Sequence, residues 1–252
     1  MESALKISVI IITRNEEINI DDCLKSVDWA DEIVIVDSGS DDGTVKKASN
    51  YTNKIYAKMW EGYSKQKQYA LSLAKNEWVL SLDADERISP SLRDEILKGL
   101  DETYNGFYIS RKNFFLGRHI TGCGWDNDYQ LRLFKKSKTT ITDSLVHEAF
   151  VVEGNTGRLK NRMDHYSYRT LKDAITKMNN YSTLEAGQKY KHKNVSPADF
   201  ILHPAAAFIQ YFIIRKGYKD GIYGLIVSLL HAMTNMQIYM KIWELKHHGK
   251  QE

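Results

Sequence analysis

Residues 78–85 read Trp-Val-Leu-Ser-Leu-Asp-Ala-Asp, an apolar run that ends in two carboxylates separated by one residue. A short, continuous apolar run of this kind is typical of a strand that is buried on both faces of a sheet. Two similar runs precede it, at residues 7–12 and 33–36, and helix-like segments separate the three. This alternation predicts an α/β fold with a mostly parallel central sheet and right-handed crossovers.

Polar clusters follow three of the predicted strands directly. They are residues 13–16 (Thr-Arg-Asn-Glu), 37–44 (Asp-Ser-Gly-Ser-Asp-Asp-Gly-Thr) and 83–85 (Asp-Ala-Asp). Ligands of open α/β sheets bind beyond the carboxyl ends of the strands, so we expect one site to collect all three clusters. No G-x-G-x-x-G pattern follows the first strand, which argues against a dinucleotide-binding fold.

Asp83 and Asp85 are the strongest candidates for a metal site. Two carboxylates at a strand end can converge on one cation, and such oxygen ligands suit Mg²⁺ or Mn²⁺. The alternative is a polar turn that leads into a helix capped by Ser89, with Pro90 at its first position. Asp37 has two readings as well: its carboxylate could bind a base or a ribose, or it could close an Asx turn.

Charge is unevenly distributed along the 252 residues. Residues 1–157 carry 20 Lys and Arg against 25 Asp and Glu, whereas residues 158–252 carry 15 against 7. The second part reads as helical, and its apolar stretches at 205–214 and 222–233 fall short of the about 20 residues that span a bilayer. A basic tail with short apolar faces fits helices on an anionic membrane surface, and a helical lid packed on the sheet is the alternative.

The composition excludes several classes of protein. Charged residues make up 27 % and hydrophobic residues 42 %, which is ordinary for a globular chain. Cys23 and Cys123 alone exclude a disulfide scaffold and a cysteine-based zinc site. No charged-then-apolar leader precedes the first strand, so we expect a cytoplasmic protein. The acidic strand ends argue against binding of nucleic acid, and no feature predicts an oligomeric state.

Three motifs together resemble those of the family 2 glycosyltransferases, which have the GT-A fold. They are Thr13-Arg14-Asn15-Glu16, the pattern Asp37-Ser38-x-Ser40-x-Asp42-Gly43-Thr44, and Asp83-Ala84-Asp85, which matches the DXD motif of the family. Later segments resemble the bacterial subgroup that adds glucose to the inner core of lipopolysaccharide or lipooligosaccharide. These segments are Phe115–Arg118, Gly124-Trp125 with Asp128, Leu131–Phe134, Val146–Glu148, His165–Tyr168 and Tyr211–Gly224.

The resemblance implies a GT-A nucleotide-sugar-binding and catalytic domain over residues 1–155. A helical region that binds the acceptor or associates with the membrane would follow over residues 156–252. The implied reaction is inverting, metal-dependent transfer of a single hexose, glucose from UDP-glucose, to a lipid-linked saccharide. The protein would then be peripheral on the inner face of the bacterial inner membrane.

The motifs of the family also imply roles for single residues. The residues that would line the uridine pocket are Thr13, Arg14 and Glu16. Asp37 would lie near the uracil or the ribose, and Asp83 would approach the ribose or the metal. Asp85 would hold Mg²⁺ or Mn²⁺ against the diphosphate of the UDP-sugar donor. Lys65 and Lys67 precede this motif on a helix, and we expect a solvated helix face there rather than a contact with the diphosphate.

An inverting transfer also needs a base near the acceptor hydroxyl. The candidates, in order of preference, are Asp128, Glu148 and Asp126. In many relatives a Glu-Asp pair stands a few residues before an Arg-Leu, and residues 125–128 occupy that stretch here, so the register stays open. The alternative for Asp128 is an ion pair with Arg132. Trp125 is the aromatic residue that we expect at the acceptor.

Three other functions stay open from the sequence. The chain could act on another surface polysaccharide or on a protein acceptor. It could be a nucleotidyltransferase, although that class normally needs a Gly-rich, basic loop after the first strand, and residues 13–15 supply little of it. It could also be a non-catalytic membrane-surface scaffold that kept the GT-A fold. Cation-dependent UDP binding would separate the enzyme from the scaffold.

Overall fold

The computed structural model describes residues 5–126, 128–142 and 150–249. By internal contacts the chain forms two compact units. The first unit takes its residues from 1–111 and 129–165, and the second takes them from 112–128 and 166–252. The domain boundary that we expect near residue 155 stays a prediction.

Strands and helices alternate in the first part of the chain, as the sequence predicts. They are β1 (Ile7–Thr13), α1 (Ile20–Lys25), β2 (Glu32–Asp37), α2 (Thr44–Ala48), β3 (Ile55–Ala57), α3 (Tyr63–Leu73) and β4 (Trp78–Asp83). The elements that follow are β5 (Glu86–Ile88), α4 (Pro90–Leu97), β6 (Gly106–Phe115), β7 (Arg118–His119), β8 (Asp128–Lys135), β9 (Thr139–Ile141), β10 (Phe150–Val152) and β11 (Thr156–Tyr168). Helix α4 begins as expected, with Ser89 as its N-cap and Pro90 in its first turn.

The central sheet has the strand order β3-β2-β1-β4-β8-β6-β11-β5, with β7 paired to β6. Strand β1 lies parallel between β2 and β4, and β8 pairs antiparallel with β4. The sheet therefore belongs to the predicted α/β class, with a mixed extension beyond β4. In this register Thr13 lies beside Asp37, and Asp83 lies beside Ile12, so the polar clusters meet at one edge of the sheet.

The apolar runs of β1 and β2 are continuous because both faces of these strands are buried. Val9 and Ile35 pack into the hydrophobic cluster on one face, and Ile10 and Val36 pack into the cluster on the other. Each of these side chains is at most 1 % exposed. Burial on both faces fixes the ends of the strands, and with them the positions of the loops that follow.

The second unit is mainly helical. Its helices are α5 (Leu171–Lys189), α6 (Asp199–Ile209) and α7 (Ile222–His247), with a π-helical turn at Gln210–Ile214 and a 3-10 turn at Gly217–Asp220. Its core collects Phe115, Ile120, Cys123, Ala174, Met178, Val227 and Leu230. Across the part of the chain that the structure describes, no helix combines the length and the apolar character needed to cross a membrane.

Candidate functional site

The loops that follow β1 and β2 are joined by hydrogen bonds. The backbone N–H of Ser38 donates to the carbonyl of Thr13 at 2.9 Å, and that of Asn15 donates to Ser40 Oγ at 2.9 Å. In return, Asp41 N–H donates to Asn15 Oδ1 at 3.0 Å. Asn15 adopts a left-handed conformation (φ 55°), which asparagine tolerates better than most residues. The two predicted polar clusters therefore form one wall at the edge of the sheet.

Asp37 closes the turn after β2. One carboxylate oxygen, Oδ2, accepts hydrogen bonds from the N–H groups of Gly39 and Ser40, both at 2.9 Å. The other, Oδ1, accepts from Ser40 Oγ at 2.5 Å. The structure thus has the Asx-turn arrangement at this residue, and contact of Asp37 with a uracil or a ribose stays a prediction.

The three residues assigned to the uridine pocket differ in their surroundings. Thr13 is buried, and within the described residues its hydroxyl has no hydrogen-bond partner. Arg14 is exposed. Glu16 accepts a hydrogen bond from Asn19 Nδ2 at 2.7 Å, and its N–H donates to Thr44 Oγ1 at 2.8 Å. A buried hydroxyl without a partner at a strand end is a group that a ligand can satisfy.

Asp83, the first carboxylate of the DXD motif, is bound by two cations of the protein. Arg132 Nη2 lies 2.5 Å from Asp83 Oδ2, and Lys67 Nζ lies 3.6 Å from Asp83 Oδ1. Burial alone would raise the pKa of Asp83, but the charges of Arg132 and Lys67 outweigh it and hold the pKa well below its usual range. Asp83 is therefore an anion whose charge the protein itself compensates.

Glu86 is fully buried beside Asp83 and completes the charged cluster. Its Oε1 accepts hydrogen bonds from Arg132 Nη2 at 2.7 Å and from Arg111 Nη1 at 3.4 Å. Its Oε2 accepts from the N–H of Asp83 at 3.0 Å. Arg132 therefore binds Asp83 and Glu86, and the alternative that paired it with Asp128 is wrong.

A cavity of about 270 Å³ opens over this cluster, within the first unit. Its polar lining includes Lys67, Asp83, Arg111, Arg132, Tyr108 and Tyr129. Lys67 is only 7 % exposed, so the prediction that it belongs to a solvated helix face is wrong. Lys65 does face solvent and lies 3.7 Å from Glu61. The Nε–H of Arg132 is buried and meets no acceptor among the described residues.

Asp85, the second carboxylate of the motif, lies beside His165, to which the sequence analysis assigns no site role. Asp85 Oδ2 is 3.5 Å from His165 Nε2, and both side chains are half-buried. A carboxylate and an imidazole are ligand types that a divalent cation such as Mn²⁺ accepts, and such ions also take water and phosphate oxygens. In the described ranges no group of three or more metal-ligating side chains occurs.

The candidate bases Asp126 and Asp128 belong to the second unit. Asp128 Oδ2 accepts a hydrogen bond from Asn113 Nδ2 at 3.2 Å, and Asp126 is half-buried. Glu148 lies outside the described residues. Trp125 packs edge-on against Phe115, with ring centroids 6.3 Å apart, and its place at the acceptor stays a prediction.

The sequence analysis gives no place in the donor site to Glu86, Arg111, Arg132 or His165, although Arg132 and His165 lie in segments that resemble the subgroup. One signal could have found Arg132: it stands between Leu131 and Leu133, in a strand whose neighbouring side chains are buried. A charged residue inside an apolar strand needs a buried partner of opposite charge. The partners lie more than 40 residues away in sequence, so the pairing itself could not be read from the pattern.

Comparisons with known proteins agree with this architecture. A family model described as glycosyl transferase family 2 matches residues 8–183. The lipopolysaccharide core biosynthesis glycosyltransferase LpsC of Rhizobium meliloti is 32 % identical over 95 % of this chain and 93 % of its own length. A glycosyltransferase of Rickettsia felis is 31 % identical over 95 % of this chain and 90 % of its own.

Among solved structures, the match with residues 1–349 of TarS from S. aureus covers 98 % of this chain and 92 % of the TarS chain. The two are 16 % identical, with a TM-score of 0.46. The family model runs from β1, through the charged cluster and the DXD motif, into α5. Since full-length relatives above 30 % identity accompany that match, this chain belongs to glycosyl transferase family 2.

Proposed function

We propose that this glycosyltransferase transfers a single glucose from UDP-glucose to a lipid-linked saccharide of the lipopolysaccharide or lipooligosaccharide core, with inversion at the anomeric carbon. The observation that carries the donor class is the cationic lining of the cavity at the DXD motif. The acceptor class rests on the name of the Rhizobium relative, which aligns over nearly the whole of both chains.

The charges around the cavity favour a phosphate-bearing donor. Among the described residues, Lys67, Arg111 and Arg132 bring positive charge to the cavity, and Asp83 and Glu86 lie against them. These cationic side chains, and the Nε–H of Arg132, which meets no acceptor in the described part of the chain, favour an anion with several acceptor oxygens, such as a diphosphate. At the same edge of the sheet, the uridine would lie near Thr13, Arg14, Glu16 and Asp37.

Asp85 and His165 would hold the Mg²⁺ or Mn²⁺ ion of the proposed reaction. When bound, the ion would neutralise charge that develops on the leaving diphosphate. Asp83 would act differently, because its carboxylate already binds Arg132 and Lys67. Its part would be to fix the positions of these two cations and to approach the ribose of the donor.

Asp128 is our candidate for the base that takes the proton of the acceptor hydroxyl, and Asp126 and Glu148 are the alternatives. General-base assistance contributes about 10² to 10⁴-fold in rate. The hydrogen bond from Asn113 Nδ2 orients the carboxylate of Asp128.

The donor half of the proposal is tested by release of UDP from a panel of UDP-sugars, with and without Mn²⁺. We expect slow, metal-dependent hydrolysis of UDP-glucose, and we expect the Asp85→Ala variant to abolish it. Asp94→Ala is the matched control, because Asp94 is an exposed carboxylate on α4 whose ion pair with Arg93 is also exposed. No hydrolysis of any donor, together with no UDP binding by calorimetry, would favour a scaffold that kept the fold.

We also propose that the second unit attaches the enzyme peripherally to an anionic membrane, at the inner face of the bacterial inner membrane. From the π-helical turn to the first residue of α7, large apolar side chains are exposed next to basic ones. Ile214 is 70 % and Ile222 is 60 % exposed, and Lys216 and Lys219 lie between them in sequence and face solvent. Apolar side chains can enter the headgroup region while each Lys contributes about 1 kcal/mol of attraction to anionic lipid.

Sedimentation with vesicles that contain phosphatidylglycerol tests this attachment. The double variant Lys216→Glu/Lys219→Glu should lose most of its binding, whereas Lys98→Glu/Lys160→Glu, with the same change of charge on exposed lysines of the first unit, should bind like the wild type. Equal binding by the two variants would show that the segment before α7 does not contact the membrane.

A further inference from the structure

The 3-10 turn before α7 buries a carboxylate that the proposed reaction does not use. Asp220 is 4 % exposed. Its Oδ1 accepts hydrogen bonds from the N–H of Thr121 at 3.1 Å and from Thr121 Oγ1 at 3.0 Å, and its Oδ2 accepts from the N–H of Gly122 at 2.6 Å. A buried charge is costly unless it is fully hydrogen-bonded, and these contacts meet that condition. Asp220 therefore ties the turn to the loop that begins at Thr121.

Glycines allow this loop and the turn to lie backbone against backbone. A Cβ atom on Gly122 would lie 2.5 Å from the carbonyl oxygen of Lys216 and 2.8 Å from Asp220 Oδ2. A Cβ atom on Gly217 would lie 2.7 Å from Cys123 Sγ. Because Cβ atoms do not approach other heavy atoms this closely, the contact needs glycine on both sides. The geometry of the loop is therefore set by the segment before α7.

The other end of the same loop carries the candidate bases. Asn113, in β6, donates from Nδ2 to the carbonyl of Trp125 at 2.8 Å and to Asp128 Oδ2 at 3.2 Å. The carbonyl of Asn113 accepts from the N–H of Ile120 at 3.0 Å. The loop is thus held at its start by Asp220 and at its end by Asn113, and Asp126 and Asp128 lie at that end.

We propose that Asp220 is a positioning residue for sugar transfer, which acts through Thr121 and Gly122 to set the path of the loop that carries Asp126 and that leads to Asp128 at the start of β8. This inference rests on the proposed function, because it needs one of these two carboxylates to serve as the base. It gives the segment Tyr211–Gly224, in which Asp220 lies, a role in the chemistry in addition to any role at the membrane. A displacement of about 1 Å in a reacting group can cost about 10²-fold in rate.

The Asp220→Asn variant tests the proposal with little change in volume. Its amide NH₂ would face the N–H of Gly122 or the Thr121 donors, so at least one hydrogen bond to the loop is lost. We expect kcat for transfer to the saccharide acceptor to fall about 10 to 100-fold. We expect the Kd for UDP and the KM for the donor to stay within about twofold, since the donor residues belong to the first unit.

Asp199→Asn is the matched control. Asp199 is also a carboxylate of the second unit that accepts from a backbone N–H, that of Ser196 at 2.7 Å, and it contacts His203 rather than the loop. Its variant should keep kcat. If Asp220 only stabilised the fold, its variant would lose UDP binding and transfer together, in proportion to the fraction of unfolded protein, and that result would overturn the proposal.

Gly122→Ala provides a second variant in case Asp220→Asn does not fold. The added methyl group must push the loop away from Lys216, so kcat should fall while the Kd for UDP is kept. Gly187→Ala is its control, because a Cβ atom there meets nothing within 4 Å. Wild-type transfer with unchanged kcat in both test variants would overturn the positioning role alone. Absence of transfer by the wild type to any saccharide acceptor would overturn the proposed function, and this inference with it.

Discussion

Replacing Arg132 by methionine should lower the free energy of unfolding by about 3 kcal/mol. The side chain of Arg132 is 5 % exposed and lies 2.5 Å from Asp83 and 2.7 Å from Glu86, which is fully buried. Removing one partner of a buried ion pair leaves an uncompensated charge and costs about 3 to 5 kcal/mol. The lower end applies here, because Arg111 still lies 3.4 Å from Glu86 and Lys67 lies 3.6 Å from Asp83.

A double-mutant cycle with Glu86→Gln separates the ion pair from other effects of the substitution. In the Arg132→Met/Glu86→Gln variant the buried charge of Glu86 is gone, so the double variant should be more stable than the sum of the two single losses predicts. We expect a coupling free energy of about 1 to 2 kcal/mol, within the range of residues that share one network.

Urea unfolding at pH 7, followed by circular dichroism, measures these free energies. Arg93→Met is the matched control: Arg93 lies 2.9 Å from Asp94, but both side chains are exposed, so its loss should cost at most about 0.5 kcal/mol. The reasoning is refuted if Arg132→Met stays within 0.5 kcal/mol of the wild type, or if the cycle is additive.

Three further predictions concern buried titratable side chains: Lys67 of the charged cluster, His231 and Glu32. Lys67→Met should weaken UDP binding about tenfold in calorimetry through loss of a charge-assisted contact. The control Lys65→Met, which changes a solvated residue on α3, should bind UDP like the wild type. Equal UDP affinities of the two variants would contradict a contact between Lys67 and UDP. Burial lowers the pKa of His231 from 6.5 to about 4, so protonation of the unfolded state should cost the fold about 2 to 3 kcal/mol between pH 7 and 4.5. His231→Phe should remove this part of the loss of stability at acidic pH. If the urea midpoints of the variant and the wild type fall equally between pH 7 and 4.5, the burial of a neutral His231 does not contribute. Burial would raise the pKa of Glu32, but hydrogen bonds from Lys54 and others lower it, so Glu32→Gln should cost about 1 to 3 kcal/mol at pH 7. The difference in free energy of unfolding between the wild type and Glu32→Gln should narrow as the pH falls below about 4.3. A difference that stays constant down to pH 3 would contradict the lowered pKa of Glu32.

The sequence predicts the parallel half of the sheet well, because its physical cause is local. A strand buried on both faces is apolar at nearly every position, and residues 33–36 and 7–12, in which Ser8 is the one polar residue, show this directly. The loop after such a strand must lie at the sheet edge, so Thr13, Asp37 and Asp83 could be expected together before any coordinates. Helix α4 follows from Ser89 and Pro90 for the same local reason.

The charged cluster could not be predicted in the same way, because its members come from elements far apart in sequence. Lys67 lies on α3, Glu86 on β5, Arg111 on β6 and Arg132 on β8. Lys67 taken alone is ordinary for an exposed helix face, which is why its sequence context predicts contact with solvent; Arg132 is the one member whose apolar neighbours indicate burial. Only the antiparallel pairing of β8 with β4 brings Arg132 to Asp83.

The structure also divides the DXD motif in a way that its spacing does not reveal. In a continuous strand, residues i and i+2 point to the same face, so Asp83 and Asp85 would be expected to share one ligand. Strand β4 ends at Asp83, however, and Asp85 lies in the turn beyond it. Asp83 consequently faces Arg132 and Lys67, and Asp85 faces His165. Since a carboxylate already neutralised by two cations gains little from a third, Asp85 is the residue whose removal should abolish the metal dependence that we propose. Removal of Asp83 should first disturb the two cations that it holds.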